Sequence, residues 1–117
     1  MLTKEQILGV KDLIIREVEM PEWGGSVYVR GLTGSERDAF EASVIEQRGK
    51  TNRVNMINVR AKLLVLTICD KDGNPVFTAA DIDALGKKSA QALQKLFDVA
   101  SELSGLSEKD AEELAKN

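Results

Sequence analysis

An α+β fold, predominantly helical, with an N-terminal β-hairpin packed on a small helical bundle, follows from three features of this 117-residue sequence. First, Asp12 to Met20 and Ser26 to Leu32 mix apolar and polar residues in short periods around Pro21-Glu22-Trp23-Gly24-Gly25, the pattern of two strands joined by a turn. Second, Val54, Ile57, Ala61, Leu64, Val65 and Ile68 recur at intervals of three and four, the period of one helical face. Third, capping-box patterns at Thr3/Gln6, Thr33/Glu36, Thr78/Asp81 and Ser107/Asp110 each propose a helix start. In such a box the hydroxyl accepts from the N–H three residues on, and the later side chain reaches back. The length suits one modest core, so residues 1–117 are expected to form a single domain.

Taken in order, the first helix runs from Thr3 to about Val10 and is short. The hairpin follows, and because two strands alone are marginal in water, one of its faces must lie on helices. Trp23 at its tip reads either as a turn-packing aromatic or as a partner anchor. A second helix from Thr33 to about Gln47 turns Phe40, Val44 and Ala39 inward, and Gly49-Lys50-Thr51-Asn52 breaks it. The third helix, Val54 to Ile68, adds Met56, Val59, Leu63 and Leu66 to its periodic set, so its second half is apolar almost all round and should be central. A strand over Leu63 to Ile68 is the weaker rival. A short helix from Ala79 to Leu85 should stop at Gly86 in a left-handed conformation. The next helix, Ser89 to Leu103, buries Leu93, Leu96, Phe97, Ala100 and Leu103, exposes Gln91, Gln94, Lys95, Asp98 and Glu102, and closes at Gly105. The last box starts a polar helix reaching Ala115.

Composition removes several function classes. The chain has no histidine, hence neither the commonest general base nor the commonest transition-metal ligand. Its single cysteine, Cys69, ends the apolar run LLVLTIC and reads as a buried small hydrophobe without a base to activate it. With three Phe, one Tyr and one Trp, the core must be built mainly from Leu, Ile, Val and Ala. The net charge of −3 argues against a dedicated nucleic-acid binder. MLTKEQIL carries no signal-peptide core and no apolar run approaches a membrane span of about 20 residues, so a soluble intracellular protein is expected.

Three segments invite a site. Asp70 to Asp81, DKDGNPVFTAAD, places Asp70, Asp72, Asn74, Val76, Thr78 and Asp81 at the ligand positions of an EF-hand loop. Yet Pro75 occupies the sixth position, where a left-handed glycine is needed, and Asp81 the twelfth, where a bidentate glutamate is needed. A turn at Asp72 to Pro75 followed by a capped helix is the better reading, so neither metal nor cofactor is expected. Ala79 to Leu96 has the outline of a helix-turn-helix, but Lys87 and Lys88 stand where an apolar residue packs, and Asp98 and Glu102 would face phosphates. Between Arg48 and Lys62 lie five basic residues, Arg48, Lys50, Arg53, Arg60 and Lys62, and no acidic one. They are the candidate docking residues for an acidic partner surface, with a solvated loop and helix end as the plainer reading.

With these elements in place, VRGLTGSERDAFEAS (Val29 to Ser43), LLVLTICDKDGNPVF (Leu63 to Phe77) and TAADIDALGKKSAQALQKLFDVASELSGLS (Thr78 to Ser107) resemble the tail assembly chaperones of long-tailed bacteriophages over nearly the whole chain. The resemblance implies a non-enzymatic protein. It would bind the tape measure protein and keep it soluble until tail tube subunits polymerise around it. It implies work in the host bacterial cytoplasm and absence from the mature virion. A longer frameshifted form would recruit tail tube protein, GLSEKDAEELAKN resembling the end of a short form. A homo-oligomer is in keeping with this class. A structural neck or tail-completion subunit of the virion is the alternative.

Overall fold

Local signals set the first half of the chain. In the computed structural model, which describes residues 1–48, 51–54 and 56–106, the Thr3 box opens α1 (Lys4–Gly9): the Thr3 hydroxyl accepts from the Gln6 N–H at 3.2 Å and Gln6 Oε1 from the Thr3 N–H at 2.9 Å. The expected hairpin follows as β1 (Ile15–Met20) and β2 (Gly25–Arg30), joined through a 3-10 turn at Pro21–Trp23. Of the paired glycines only Gly24 is left-handed, with φ 78°. Antiparallel register sets Val18 opposite Val27 and Arg16 opposite Val29, so these residues share one face. Val18, Met20 and Val29 on that face are buried. Trp23 at the tip is 38 % exposed. The Thr33 box opens α2 (Gly34–Val44), which buries Phe40 and Val44 as expected.

Two boundaries differ from the sequence expectation. Helix α2 stops at Val44 instead of Gln47, and the periodic segment turns helical only at Val59 instead of Val54. The residues between form a second hairpin, β3 (Ile45–Arg48) and β4 (Thr51–Val54), with β-branched Ile45 opposite Val54 and Arg48 opposite Thr51. Thr51 and Asn52, read as part of a helix breaker, instead open the second strand. Ile57, assigned to the helix face, lies before the helix and is 72 % exposed. Asn58 then adopts φ 58°, a left-handed state that asparagine tolerates better than most residues. The helix expected from Ser107 to Ala115 and the residue Lys50 lie outside the described residues.

Helix α3 (Val59–Thr67) is central, as its all-round apolarity requires. Val59, Ala61, Leu63, Leu64, Val65 and Thr67 are all buried. The Thr67 hydroxyl donates to the Leu63 carbonyl at 3.0 Å, which satisfies it inside the core. The chain is helical through Thr67 and then extends as β5 (Ile68–Cys69), pairing with Val29 and Tyr28 of β2. The sheet thus has three strands in the order β1-β2-β5, one more than the hairpin expected, and the added strand answers the marginality of an isolated pair.

After the Asp70 turn, a 3-10 turn at Ala79–Asp81 leads into α4 (Ile82–Gly86), and α5 (Ala90–Leu103) closes the bundle. Gly86 is not the left-handed stop expected of it, since the left-handed glycines are Gly24, Gly73 and Gly105. Glycine is needed there because a Cβ would collide with the side-chain oxygen of Asn58. Helix α5 packs on α3 and lies across β1 and β2, burying Ala92, Leu93, Leu96, Ala100 and Ser101, while Phe97 and Leu103 are half-buried. Lys95 Nζ donates to the Glu19 carbonyl at 2.6 Å and Arg16 pairs with Glu102 at 3.0 Å, tying α5 to β1. Among the described residues no helix is long and apolar enough to cross a membrane.

At the C-terminal end of α5 the backbones come into direct contact. A Cβ on Gly31 would meet the Leu103 carbonyl oxygen, and the adjacent Leu32 N–H donates to the Ser104 hydroxyl at 3.0 Å. Because that neighbour is backbone and cannot rotate away, Gly31→Ala should destabilise the fold by about 1–3 kcal/mol. The control Gly34→Ala, with nothing within 4 Å of its Cβ, should be neutral or slightly stabilising. Urea midpoints of the two variants check the difference.

Candidate docking groove

The position of α2 against the 75–82 segment creates an apolar groove of about 280 Å³. One wall is α2, whose Glu36, Ala39, Phe40 and Ser43 fall at helical spacing on one face. Val65 and Leu66 of α3 lie beneath, and Pro75, Phe77, Ala79 and Ile82 form the facing wall. Sequence reasoning turned Ala39 inward. It is exposed, because no side chain from the facing wall covers it and the groove opens above it.

The facing wall depends on the Asp70 turn. Asp70 Oδ1 accepts from the N–H groups of Asp72 at 2.8 Å and Asn74 at 2.9 Å, and Oδ2 accepts from Asn74 Nδ2 at 3.2 Å. These hydrogen bonds, that from the Asn74 N–H first, hold its carboxyl below the ordinary carboxylate range. The left-handed residue is Gly73, φ 89°, two positions before the place an EF-hand requires. The carboxylate that would lead a calcium loop instead closes its own turn, and the chain returns at Pro75 to bridge Cys69. Thr78 and Asp81 then set the helix start, Asp81 Oδ2 accepting from the Thr78 N–H at 2.9 Å.

One end of the groove is an ion pair. Arg30, 5 % exposed, donates from Nη1 and Nη2 to the two carboxylate oxygens of Glu36, each at 2.7 Å, and from Nη1 to the Gly31 carbonyl at 3.0 Å. Glu36 is also the third residue of the Thr33 box and accepts from the Thr33 N–H at 2.9 Å. The planar fork matches the carboxylate. The Arg30 guanidinium, helped by the Thr33 N–H, holds the Glu36 carboxyl down at about 2. Nearby Cys69 is buried, and burial pushes its thiol up, which suits a packing residue better than a nucleophile.

The other end carries Lys62, which donates to the Ser43 carbonyl at 3.0 Å. Arg60, two residues earlier, turns to α5 instead, where it bonds to Gln94 and stands 5.9 Å from the centre of the Phe97 ring. Residues two apart do not share a helix face, so these two candidates diverge. Arg48 and Arg53 belong to β3 and β4, with Glu46 opposite Arg53 in register, and Lys50 lies outside the described residues. Among the described residues, no group of three or more Cys, Asp or Glu side chains is arranged to hold a metal ion. What the groove offers is apolar contact flanked by the Arg30–Glu36 ion pair, whose buried Arg30 Nε has no hydrogen-bond partner among the described residues, and by a lysine, the chemistry of docking a partner's side chains. Beyond the small Ala39 beside Phe40, the linear sequence held no sign of it, since its walls come from segments nearly forty residues apart.

A family model described as phage tail assembly chaperone matches residues 11–117. Among solved structures, that of the bacteriophage HK97 tail assembly chaperone is similar with a TM-score of 0.63 and 20 % identity, over 89 % of this chain and 95 % of that one. No curated protein sequence matches the chain.

Since Glu36 is held at about 2 against an ordinary 4.5, its contribution to stability is complete above pH 4.5 and fades as pH falls towards 2. Glu36→Gln should therefore cost about 2–3 kcal/mol at pH 7, with the gap to the parent narrowing below pH 4.5 in acid-denaturation curves. Calcium at millimolar concentration should leave the melting temperature unmoved, because any ligand binding only the folded state must raise it.

Proposed function

Because the chain belongs to the phage tail assembly chaperone family, which its match over residues 11–117 establishes, we propose that it acts without a catalytic step, binding the tape measure protein and keeping it soluble until tail tube subunits polymerise around it. It does so in the host bacterial cytoplasm and leaves before the virion is complete. A longer product, made by a ribosomal frameshift near the end of this reading frame, recruits the tail tube protein through its extra part. The family match carries this reading, and the groove supplies a physical means.

A long helical client with apolar stripes associates with itself unless those stripes are covered. A groove between two helical segments accepts apolar side chains spaced along one helix face, here against Ala39, Leu66 and Phe77. Lys62 at its end, together with Arg48, Lys50 and Arg53 of the basic segment, favours a client with acidic residues beside its apolar stripe. The net charge of −3 helps keep the complex in solution.

Co-expression tests the reading: the tape measure protein of the same phage should be soluble with this partner and aggregate without it. Leu66→Glu should abolish that rescue. Reversing Arg48, Lys50 and Arg53 together should weaken binding about tenfold at low salt and less at 0.5 M salt, where charges are screened. Unchanged client solubility, with this chain present in purified tails, would replace the chaperone by a structural neck or tail-completion subunit.

A further inference from the structure

The two edges of the β1-β2-β5 sheet are finished differently. Beyond β5 the chain closes the ladder itself: the Val76 N–H donates to the Ile68 carbonyl at 3.3 Å, the Asp70 N–H to the Asn74 carbonyl at 2.9 Å, and Pro75, which has no N–H, stands opposite Cys69. Beyond β1 no strand pairs among the described residues. The Gly31 N–H donates to the Ile14 carbonyl at 3.1 Å, which fixes the phase of the antiparallel ladder. In that register the backbones of Arg16, Val18 and Met20 bond to β2, and those of Ile15, Glu17 and Glu19 point away from it. The Glu19 carbonyl accepts from Lys95 Nζ at 2.6 Å. The N–H groups of Ile15, Glu17 and Glu19 and the carbonyls of Ile15 and Glu17 then stand as a template for a further strand.

We propose that β1 is a second docking surface, which takes an extended segment of a partner protein, carrying lysine or arginine at alternate positions, antiparallel along its free edge. Charge selects this occupant. Ile15, Glu17 and Glu19 are exposed and project from one face of the sheet, so every second side chain of an added strand lies beside them. Opposite charges across such a pair stabilise it, and like charges oppose it. Two copies of β1 paired about Glu17 would instead set carboxylate against carboxylate. The intervening side chains of the added strand continue the face that carries buried Val18 and Met20, and are apolar. No residue of β1 lines the groove between α2 and the 75–82 segment, so this site does not depend on how the groove is used.

Short peptides test the edge without the tape measure protein, which keeps the outcome separate from that of the chaperone reading. A peptide alternating lysine with valine should bind the purified chain in calorimetry and slow hydrogen exchange at the Ile15 and Glu17 amides. The same peptide with glutamate in place of lysine should bind at least about tenfold more weakly. Glu17→Lys and Glu19→Lys together, both at exposed positions, should invert that preference while leaving the circular dichroism spectrum unchanged. N-methylation of the peptide's lysines, whose N–H groups face β1 in an antiparallel pair, should abolish binding, whereas N-methylation of its valines should not. No binding of the lysine peptide at millimolar concentration, equal binding of the two peptides, binding that survives methylated lysines, or a bound peptide that leaves both amides unprotected would overturn the proposal.

Discussion

A nine-residue helix that is apolar on nearly every side must be covered on every side, and the arrangement of this molecule answers that constraint. Six of the nine residues of α3 are buried, and α2, α4 and α5 all pack on it. Continuation of the same chain into β5 then brings a third strand to the hairpin. The sheet, which could not persist as two strands, is thus stabilised from the same centre as the helices. Because interior packing is dense, the places where backbone meets side chain leave no slack, which is why Gly86 beside Asn58 lacks a Cβ.

Glu36 links three parts of the structure. It caps α2, pairs with Arg30 at the end of β2 and borders the groove. A buried ion pair gains little over apolar residues of similar volume, yet losing one partner leaves an uncompensated charge. Its consequence here is positional: the first turn of α2 is held to the sheet, and with it the wall that carries Ala39. The groove is therefore a by-product of a capping box whose third residue serves a second partner.

A chaperone has to expose apolar surface and still remain dispersed. In this chain the apolar surface is concentrated in a groove and an N-terminal arm, while the outer face of α5 carries Gln91, Lys95, Asp98 and Glu102. Interspersed charge of both signs keeps such a surface wet and opposes indiscriminate contact.

What the sequence determined by itself were the features governed by neighbours within a few residues. Thr3, Thr33 and Thr78 mark helix starts because capping is local. The hairpin at Ile15 to Arg30 is legible because turn chemistry and alternation lie side by side, and Cys69 and Phe40 are buried because the periodicity around them leaves no other place. The Asp70 turn was legible for the same reason, since Pro75 and Gly73 constrain their own dihedrals. The family resemblance, too, was carried by the linear order of these pieces. Tertiary structure alone decided whether Val54 would continue a helix or pair with Ile45, since apolar spacing fits both until a partner strand competes. It also decided that Gly86 is small for the sake of Asn58, that Arg60 and Lys62 part company, and that Ala39, Leu66 and Phe77 meet. Each of these depends on contact between residues distant in sequence, and no period within one segment encodes what stands opposite it.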